Sequence, residues 1–374
     1  MIIGFDGRLA NDVHKVGSGQ FCYELLKSMS LLLKNESLRI YLDKEPQSFF
    51  PVQKNETIEF RVLRKRKFWT QTALANELRK NPPDIFFSPS LQTPFYGNCP
   101  KSCTIFDIAY YDFPQEFTWT ARAKAKLQLN MAIYTNQLFF TISDSSKQTI
   151  LDRFPKIENR LFRVYLGVSK EISKVSEQEQ MSVREKYSIH KPFILYLGRI
   201  QPRKNIIRLI EAYEKLVDNY PQIPHQLVIV GSLGWLYEPI LKKMKESKYA
   251  DRIHYLGYLE NENEKVALIS SADVLVLISL WEGFGLPVIE AMNCETPVLA
   301  SNCSSIPEIV GDCGILVNPY DIEEITAQLY IILTNNKLRE ELVKKSKERA
   351  KHFSWENTAQ EILDILVNYA KMTK

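Results

Sequence analysis

The stretch Leu280-Trp281-Glu282-Gly283-Phe284-Gly285-Leu286-Pro287-Val288-Ile289-Glu290-Ala291-Met292 decides how this chain is read. An apolar run, Val274 to Ile278, precedes it, so the segment reads as a strand, a loop with two glycines and a helix start. Pro287 is the expected first helical residue, where its missing N–H costs nothing, and Glu290 is expected in the first turn. Unpaired N–H groups at such a helix start favour a phosphate. Gly283 and Gly285 would let the backbone approach a ligand where a Cβ would block it. Glu282 and Glu290, eight residues apart, could then face one ligand from two sides.

Outward from there, β-like runs alternate with helical patterns along the whole chain, the mark of parallel sheets covered by helices. The predicted strands of the first half are Ile2–Phe5, Arg39–Leu42, Ile58–Val62, Asp84–Phe87, Cys103–Phe106, Leu138–Ile142 and Phe162–Tyr165. Those of the second half are Phe193–Leu197, Gln226–Val230, Ile253–Leu256, Val274–Ile278, Pro297–Ala300 and Gly314–Val317. Helix 206–217 carries apolar residues at a period near 3.6, and Asp321 with Glu324 resembles a capping box. Between Gly167 and Tyr187 the pattern weakens into a polar stretch, which sets the expected boundary between domains 1–170 and 171–354. The architecture expected is α/β, with two doubly wound Rossmann-like domains facing a central cleft, the default ligand site.

Bulk properties narrow the function. At 374 residues the chain can bury two cores. An excess of 48 Lys and Arg over 44 Asp and Glu gives no reason to expect nucleic acid as a partner. The six cysteines are scattered without a CxxC pair and read as buried thiols. The start Met1 to Asp6 reads as a strand rather than a signal segment, and no apolar run reaches the roughly 20 residues that span a bilayer. The expected location is cytoplasmic, with the inner membrane face as a peripheral contact. Two basic stretches bear on that contact: Arg64-Lys65-Arg66-Lys67 before Phe68-Trp69, and Arg122, Lys124 and Lys126 near Phe117 and Trp119. They read either as solvated faces or as surfaces for anionic lipid or a phosphate-bearing acceptor.

The chemistry concentrates in two loops. After strand Phe193–Leu197 comes Gly198-Arg199-Ile200-Gln201-Pro202-Arg203-Lys204-Asn205, then a helix. Arg199 and Lys204 would serve a departing diphosphate, the guanidinium by two-point contact and the ammonium as a point charge. Arg203 reads as the solvated cation of the three. No Asp-x-Asp occurs, and the five histidines are widely spaced, so no metal and no other cofactor is expected. Together the two loops point to a sugar nucleotide. Gly17-Ser18-Gly19, between the first strand and a helix near 20–33, reads either as a ligand-covering loop or as an ordinary turn.

The second half strongly resembles the retaining glycosyltransferases of family 4, which have the GT-B fold. The resemblance rests on Gly198-Arg199, Lys204-Asn205, Gly231-Ser232-Leu233-Gly234-Trp235, Tyr255-Leu256-Gly257-Tyr258, the Glu282 to Glu290 segment and Ser304-Ser305-Ile306-Pro307-Glu308. It is looser in the first half, at Asp6-Gly7-Arg8, Gly17-Ser18-Gly19, Thr104 to Asp107 and Ile142 to Ser146. It implies that Glu290 accepts from ribose hydroxyls and that Glu282 holds hydroxyls of the transferred sugar. Backbone N–H groups of Gly283, Phe284, Gly285 and Leu286, up to Pro287, would bind sugar and diphosphate. Arg199 and Lys204 would stabilise the leaving group, and the segment Tyr255–Leu259, with Tyr258, would lie beside the base. Gly17 and Gly19, if ligand-covering, would border the sugar nucleotide, and Asp107 reads either as an acceptor-binding group or as a plain strand-end aspartate. The terminal helix, 355–374, would rejoin the first domain.

Two departures stand out. Phe106 occupies the place where many relatives have a histidine near the reacting carbon, and Glu295 replaces a frequent glycine. His14, near the glycine loop, reads as a solvated histidine or as a group near the site. The function expected is transfer of a hexose, with GDP-mannose as donor, to a hydroxyl of a surface glycan or lipid-linked saccharide, with retention and without metal. The rivals are a catalytically silent nucleotide-sugar-binding partner of another transferase and a nucleotide-sugar epimerase.

Overall fold

The computed structural model describes residues 1–13, 17–64 and 67–373. His14, Lys65 and Arg66 lie outside the described residues. The chain divides into two units, Met1–Ser169 with Ser354–Lys374, and Lys170–Phe353.

The first unit holds seven strands: β1 (Ile2–Asp6), β2 (Ser37–Leu42), β3 (Ile58–Val62), β4 (Ile85–Ser88), β5 (Lys101–Thr104), β6 (Leu138–Thr141) and β7 (Leu161–Arg163). Their order across the sheet is β3-β2-β1-β4-β5-β6-β7, and every pairing is parallel. The order reverses between β1 and β4. β4 and β6 are buried along their whole length, which is why Ile-Phe-Phe and Leu-Phe-Phe read as unbroken apolar runs. The helix Ser18–Leu32 lays Phe21, Leu25 and Met29 into the core. The terminal helix Trp355–Met372 packs on it, with the Trp355 and Phe21 rings 6.0 Å apart.

β5 lies two residues earlier than the predicted Cys103–Phe106. A lysine at its first position hides the strand: Lys101 is buried, and its ammonium donates to the carbonyls of Pro94 (2.9 Å) and Phe95 (3.1 Å). The glycine loop is also shorter than expected. Ser18 and Gly19 are already helical, and only Gly17 stays outside, with φ +55 and open space where a Cβ would stand.

The second unit holds β8 (Phe193–Leu197), β9 (Gln226–Val230), β10 (Ile253–Gly257), β11 (Val274–Leu277), β12 (Val298–Ser301) and β13 (Ile315–Val317). They form a parallel sheet of order β10-β9-β8-β11-β12-β13, which reverses between β8 and β11. The polar stretch after Lys170 is not a bare connection. It carries the helix Glu177–Lys186, opened by a complete capping box of Ser176 and Glu179. Asp321 caps the helix Ile322–Thr334 through the Glu324 N–H, but the Glu324 carboxylate reaches Asn318 rather than closing the box. Glu295 sits at φ +59, a conformation that a glycine adopts without strain, and is held there by Lys174 (3.2 Å) and Lys347 (2.8 Å). Among the described residues, no helix is long and apolar enough to cross a membrane.

Candidate active site

In an open parallel sheet, ligands settle beyond the carboxyl ends of the strands where the order reverses. In the second unit that point is between β8 and β11, and the two loops leaving those strands are the ones rich in charge. Lys204, in the short turn Pro202–Lys204 after β8, reaches Glu282 after β11, with Nζ 2.5 Å from Oε1. Both side chains are largely buried, at 14% and 10% exposure. Ser279 donates a second contact to the same carboxylate oxygen at 2.7 Å. Burial by itself would push the Glu282 acid up; Lys204 first, then Arg203, with the hydrogen bonds from Lys204 and Ser279, overcome it and hold it below the usual carboxylate range.

Arg203 is therefore not the solvated cation that the sequence suggested. It is partly buried, its carbonyl accepts from Leu280 N–H at 2.9 Å, and its guanidinium leans on the Trp281 carbonyl at 3.4 Å. Arg199 is the exposed one, lying against Gly234 and with its guanidinium 6.0 Å from the Trp235 ring centre.

The loop after β8 is zipped to the loop after β9. Gly198 N–H donates to Val230, Ile200 N–H to Ser232 and Gly234 N–H to Ile200. Gly231, at φ +150, allows this approach, since a Cβ there would come 1.9 Å from the Gly198 carbonyl oxygen. Next door, Tyr258 follows β10 and is half exposed, and Gly231 N–H donates to Gly257 at 2.8 Å.

The helix that the opening stretch predicted runs Leu286–Asn293. It begins one residue earlier than expected, so Pro287 is its second residue and Glu290 its fifth, in the second turn rather than the first. Gly285 at φ +108 caps it, and a Cβ there would strike Ile306 at 2.7 Å. The need for Gly285 is thus internal, in turn geometry and packing, while Gly283 takes no positive φ. Phe284 is buried, with its ring edge-on to Phe353. Glu290 meets Lys265, of the helix Glu262–Ser270, at 3.0 Å.

Sequence reasoning named the Ser304-Ser305 segment but not its work. Ser304 Oγ accepts from Glu282 N–H at 3.0 Å, and the Ser305 hydroxyl lies 2.9 Å from the carbonyls of both Glu282 and Phe284. Asn205 is buried and donates to Ile278 and Pro319, tying the end of the β8 loop beneath β11. Ser279 and Lys265 were missed, having no local pattern to betray them.

Gly17, Gly19 and Asp107 belong to the first unit. Asp107 follows β5, and its carboxylate accepts from Ala109 N–H at 3.0 Å, starting the short helix Ala109–Asp112. Phe106 packs edge-on against Phe21 with ring centres 5.1 Å apart. At the β1/β4 reversal lies a cavity of about 470 Å3. Its wall includes Arg8, paired with buried Asp6 at 2.7 Å and lying over the Trp69 ring at 4.2 Å. Phe68, which follows the first basic stretch, and Lys124, of the second, line it too. A second cavity, about 550 Å3, lies along the helix Ile206–Asn219 beside Leu236 and Ile240; neither Lys204 nor Glu282 lines it.

Two parallel sheets, each with an order reversal, and charged loops converging at the second reversal define a GT-B protein. Residues 178–349 match the family described as Glycosyl transferases group 1. The second unit is a domain of that family, and the chain is accordingly a glycosyltransferase. It is 28% identical over 372 residues to O-antigen chain mannosyltransferase B of Escherichia coli, covering 93% of this chain and 95% of that one. It is 33% identical over 228 residues to serotype-specific mannosyltransferase WbdA of Escherichia coli, covering 59% of this chain but only 27% of WbdA. In fold it is similar to HepE of Anabaena, solved in complex with UDP and glucose, with a TM-score of 0.76, 18% identity and coverage of 98% and 100%. It is likewise similar to WaaG, a glycosyltransferase involved in lipopolysaccharide biosynthesis, at TM-score 0.70 and 15% identity, with coverage of 98% and 99%.

Proposed function

We propose that the protein is a retaining, metal-independent mannosyltransferase of family 4 that moves mannose from GDP-mannose to a hydroxyl of a surface glycan or lipid-linked saccharide, in O-antigen or related polysaccharide assembly. The observation that carries the proposal is the Lys204–Glu282 pair at the β8/β11 reversal, 2.5 Å apart, with Arg199 on the same loop as Lys204. The mannosyltransferase similarity over 93% of the chain supports the sugar.

In this reading Arg199 and Lys204 take the diphosphate, Glu282 the mannose hydroxyls and Glu290 the ribose. The bond from the anomeric carbon to the phosphate oxygen breaks, the acceptor oxygen bonds to that carbon on the same face, and the acceptor proton goes to the departing phosphate. The two cations neutralise the charge that develops on the leaving group, the task a metal performs elsewhere. Lys204 must then exchange part of its contact with Glu282 for phosphate.

The acceptor belongs to the first unit, with Asp107 and the cavity beside Arg8. The basic, aromatic flank of that cavity makes a peripheral contact with anionic membrane. Changing Arg122, Lys124 and Lys126 together to glutamine should abolish sedimentation with phosphatidylglycerol vesicles, and retained sedimentation would reject that contact.

Phe106, whose ring packs against Phe21 and can supply neither a proton nor a hydrogen bond, favours one rival, a silent nucleotide-sugar-binding partner. The deciding experiment incubates the protein with GDP-, UDP- and dTDP-sugars and candidate acceptors, with and without EDTA. It follows nucleoside diphosphate release, thermal shift and, by NMR, the anomeric configuration of the product. EDTA-insensitive release from GDP-mannose with an α-product is expected. A thermal shift without release would support the silent partner.

A further inference from the structure

The contact between Glu290 and Lys265 has no part in the scheme above. Glu290 is 13% exposed and would cost free energy if left without a partner in that position. Lys265 supplies one: its ammonium lies 3.0 Å from Glu290 Oε1 and 2.5 Å from the carboxylate of Glu262, one turn earlier on its own helix. The lysine is itself mostly covered, at 18% exposure, while Glu262 is 60% exposed. Burial would discourage its charge; Glu290 and then Glu262 more than restore it, so the ammonium stays protonated well above its ordinary range.

A carboxylate joined to its backbone by three rotatable bonds can present its oxygens in many directions, and a single fixed hydrogen bond removes most of that freedom. Lys265 holds Oε1. Oε2 is then left in a set direction to accept from a donor outside the protein. The donor matched to a lone, oriented carboxylate oxygen at this end of a nucleotide is the ribose diol.

We infer that Lys265 is a positioning residue which, by holding Oε1 of Glu290, aims Oε2 at the ribose hydroxyls and makes the site select ribo- over 2′-deoxyribonucleoside diphosphates. The inference rests on the assignment of Glu290 to the ribose. Selectivity, rather than affinity alone, is its signature. A misaimed carboxylate loses the hydrogen bond that only the ribo form can make, and leaves contacts to base and diphosphate in place. A hydrogen bond to a charged group corresponds to roughly a ten- to hundredfold preference for the ribo form.

The test is isothermal titration calorimetry of the full chain with GDP and 2′-deoxy-GDP, and with UDP and 2′-deoxy-UDP in parallel. It uses wild type, Lys265→Met, Lys265→Gln, Lys265→Arg and Glu290→Gln. Wild type should prefer the ribo form of the base it binds, and Glu290→Gln should bring the ratio close to one. Lys265→Met should do the same, chiefly by weakening binding of the ribo form, and Lys265→Arg should restore most of the preference. In steady-state assays of the donor, KM should rise in Lys265→Met with kcat little changed. Should Lys265→Met fail to fold, Lys265→Gln, which is neutral and shorter, takes its place with the same expectation. A wild-type ratio in the lysine variants, with the ratio lost in Glu290→Gln, overturns the role of Lys265 and leaves the ribose assignment standing. An unchanged ratio in Glu290→Gln, or no preference in wild type, overturns the ribose assignment and the inference with it.

Discussion

Lys204 and Glu282 pose a conflict that a single side chain has to resolve. Each is buried enough to need the other, yet the proposed chemistry asks Lys204 to serve a phosphate. Lys204→Met should remove about 2–4 kcal/mol of transition-state stabilisation, the scale of one electrostatic donor, read as a fall in kcat/KM. It also leaves Glu282 buried with only Ser279 and Arg203 for company, so the variant should lose stability near the lower end of about 3–5 kcal/mol in urea unfolding. The same pair sets a pH dependence. Because the folded protein holds the Glu282 acid below its unfolded value, its contribution is fully present above the unfolded value of about 4.3 and is lost as pH falls through the lower, folded one. The difference in Tm between wild type and Glu282→Gln should therefore stay constant from neutral pH down to about 5 and narrow on further acidification. A gap that widened with acid would contradict the depressed acid. Both residues were legible in the sequence because glycines and a strand end frame them; their contact, 78 residues apart in the chain, was not. Lys265 was less legible still, being one polar residue in a helix whose exposed and buried faces are poorly separated.

At the scale of elements, the second unit's site is a set of loops fastened to one another, and the glycines mark the fastenings. Gly231→Ala would thrust a methyl group into the Gly198 carbonyl, where backbone rather than a yielding side chain stands in the way. The loops after β8 and β9 would have to part. A loss of at least about 1–3 kcal/mol is expected in chemical denaturation, together with weaker nucleoside diphosphate binding by calorimetry, because Arg199 rides on the displaced loop. Wild-type binding in this variant would mean that the loop pairing has no part in holding the ligand. Strands were the most readable elements: Ile58–Val62, Phe193–Leu197 and Gln226–Val230 fall where their apolar runs predict. β5 slipped because a buried lysine does not look like a strand residue; its carbonyl partners, Pro94 and Phe95, lie in the loop just before the strand. The helix Glu177–Lys186 was missed for the opposite reason, since it buries only Val183 and so lacks an apolar stripe. The Ser176–Glu179 capping box was the signal that could have found it.

For the molecule as a whole, the decisive fact is that the first unit is built from both ends of the chain. The terminal helix Trp355–Met372 buries Trp355, Ile362, Leu363 and Leu366 in the first unit, and Gly167 gives it room, since a Cβ there would lie 2.1 Å from Trp355 N. Removing 354–374 should uncover the face of the helix Ser18–Leu32 that carries Phe21. The truncated protein should show an early unfolding step in calorimetry while the second unit, which keeps its whole sheet, melts as before. A single unchanged transition would show that the terminal helix adds nothing to the first unit.

That same return of the chain has a consequence for how the protein is made. The first unit emerges from the ribosome first but lacks its last helix until all of Lys170–Phe353 has been synthesised. The later-made unit is the one whose contiguous sequence can close its core while still tethered, and the earlier-made one must wait with an apolar helix face uncovered. During that interval, on the order of ten seconds or more at about 5–20 residues per second, the nascent first unit keeps that apolar face uncovered, which makes it the more aggregation-prone half of the chain during synthesis.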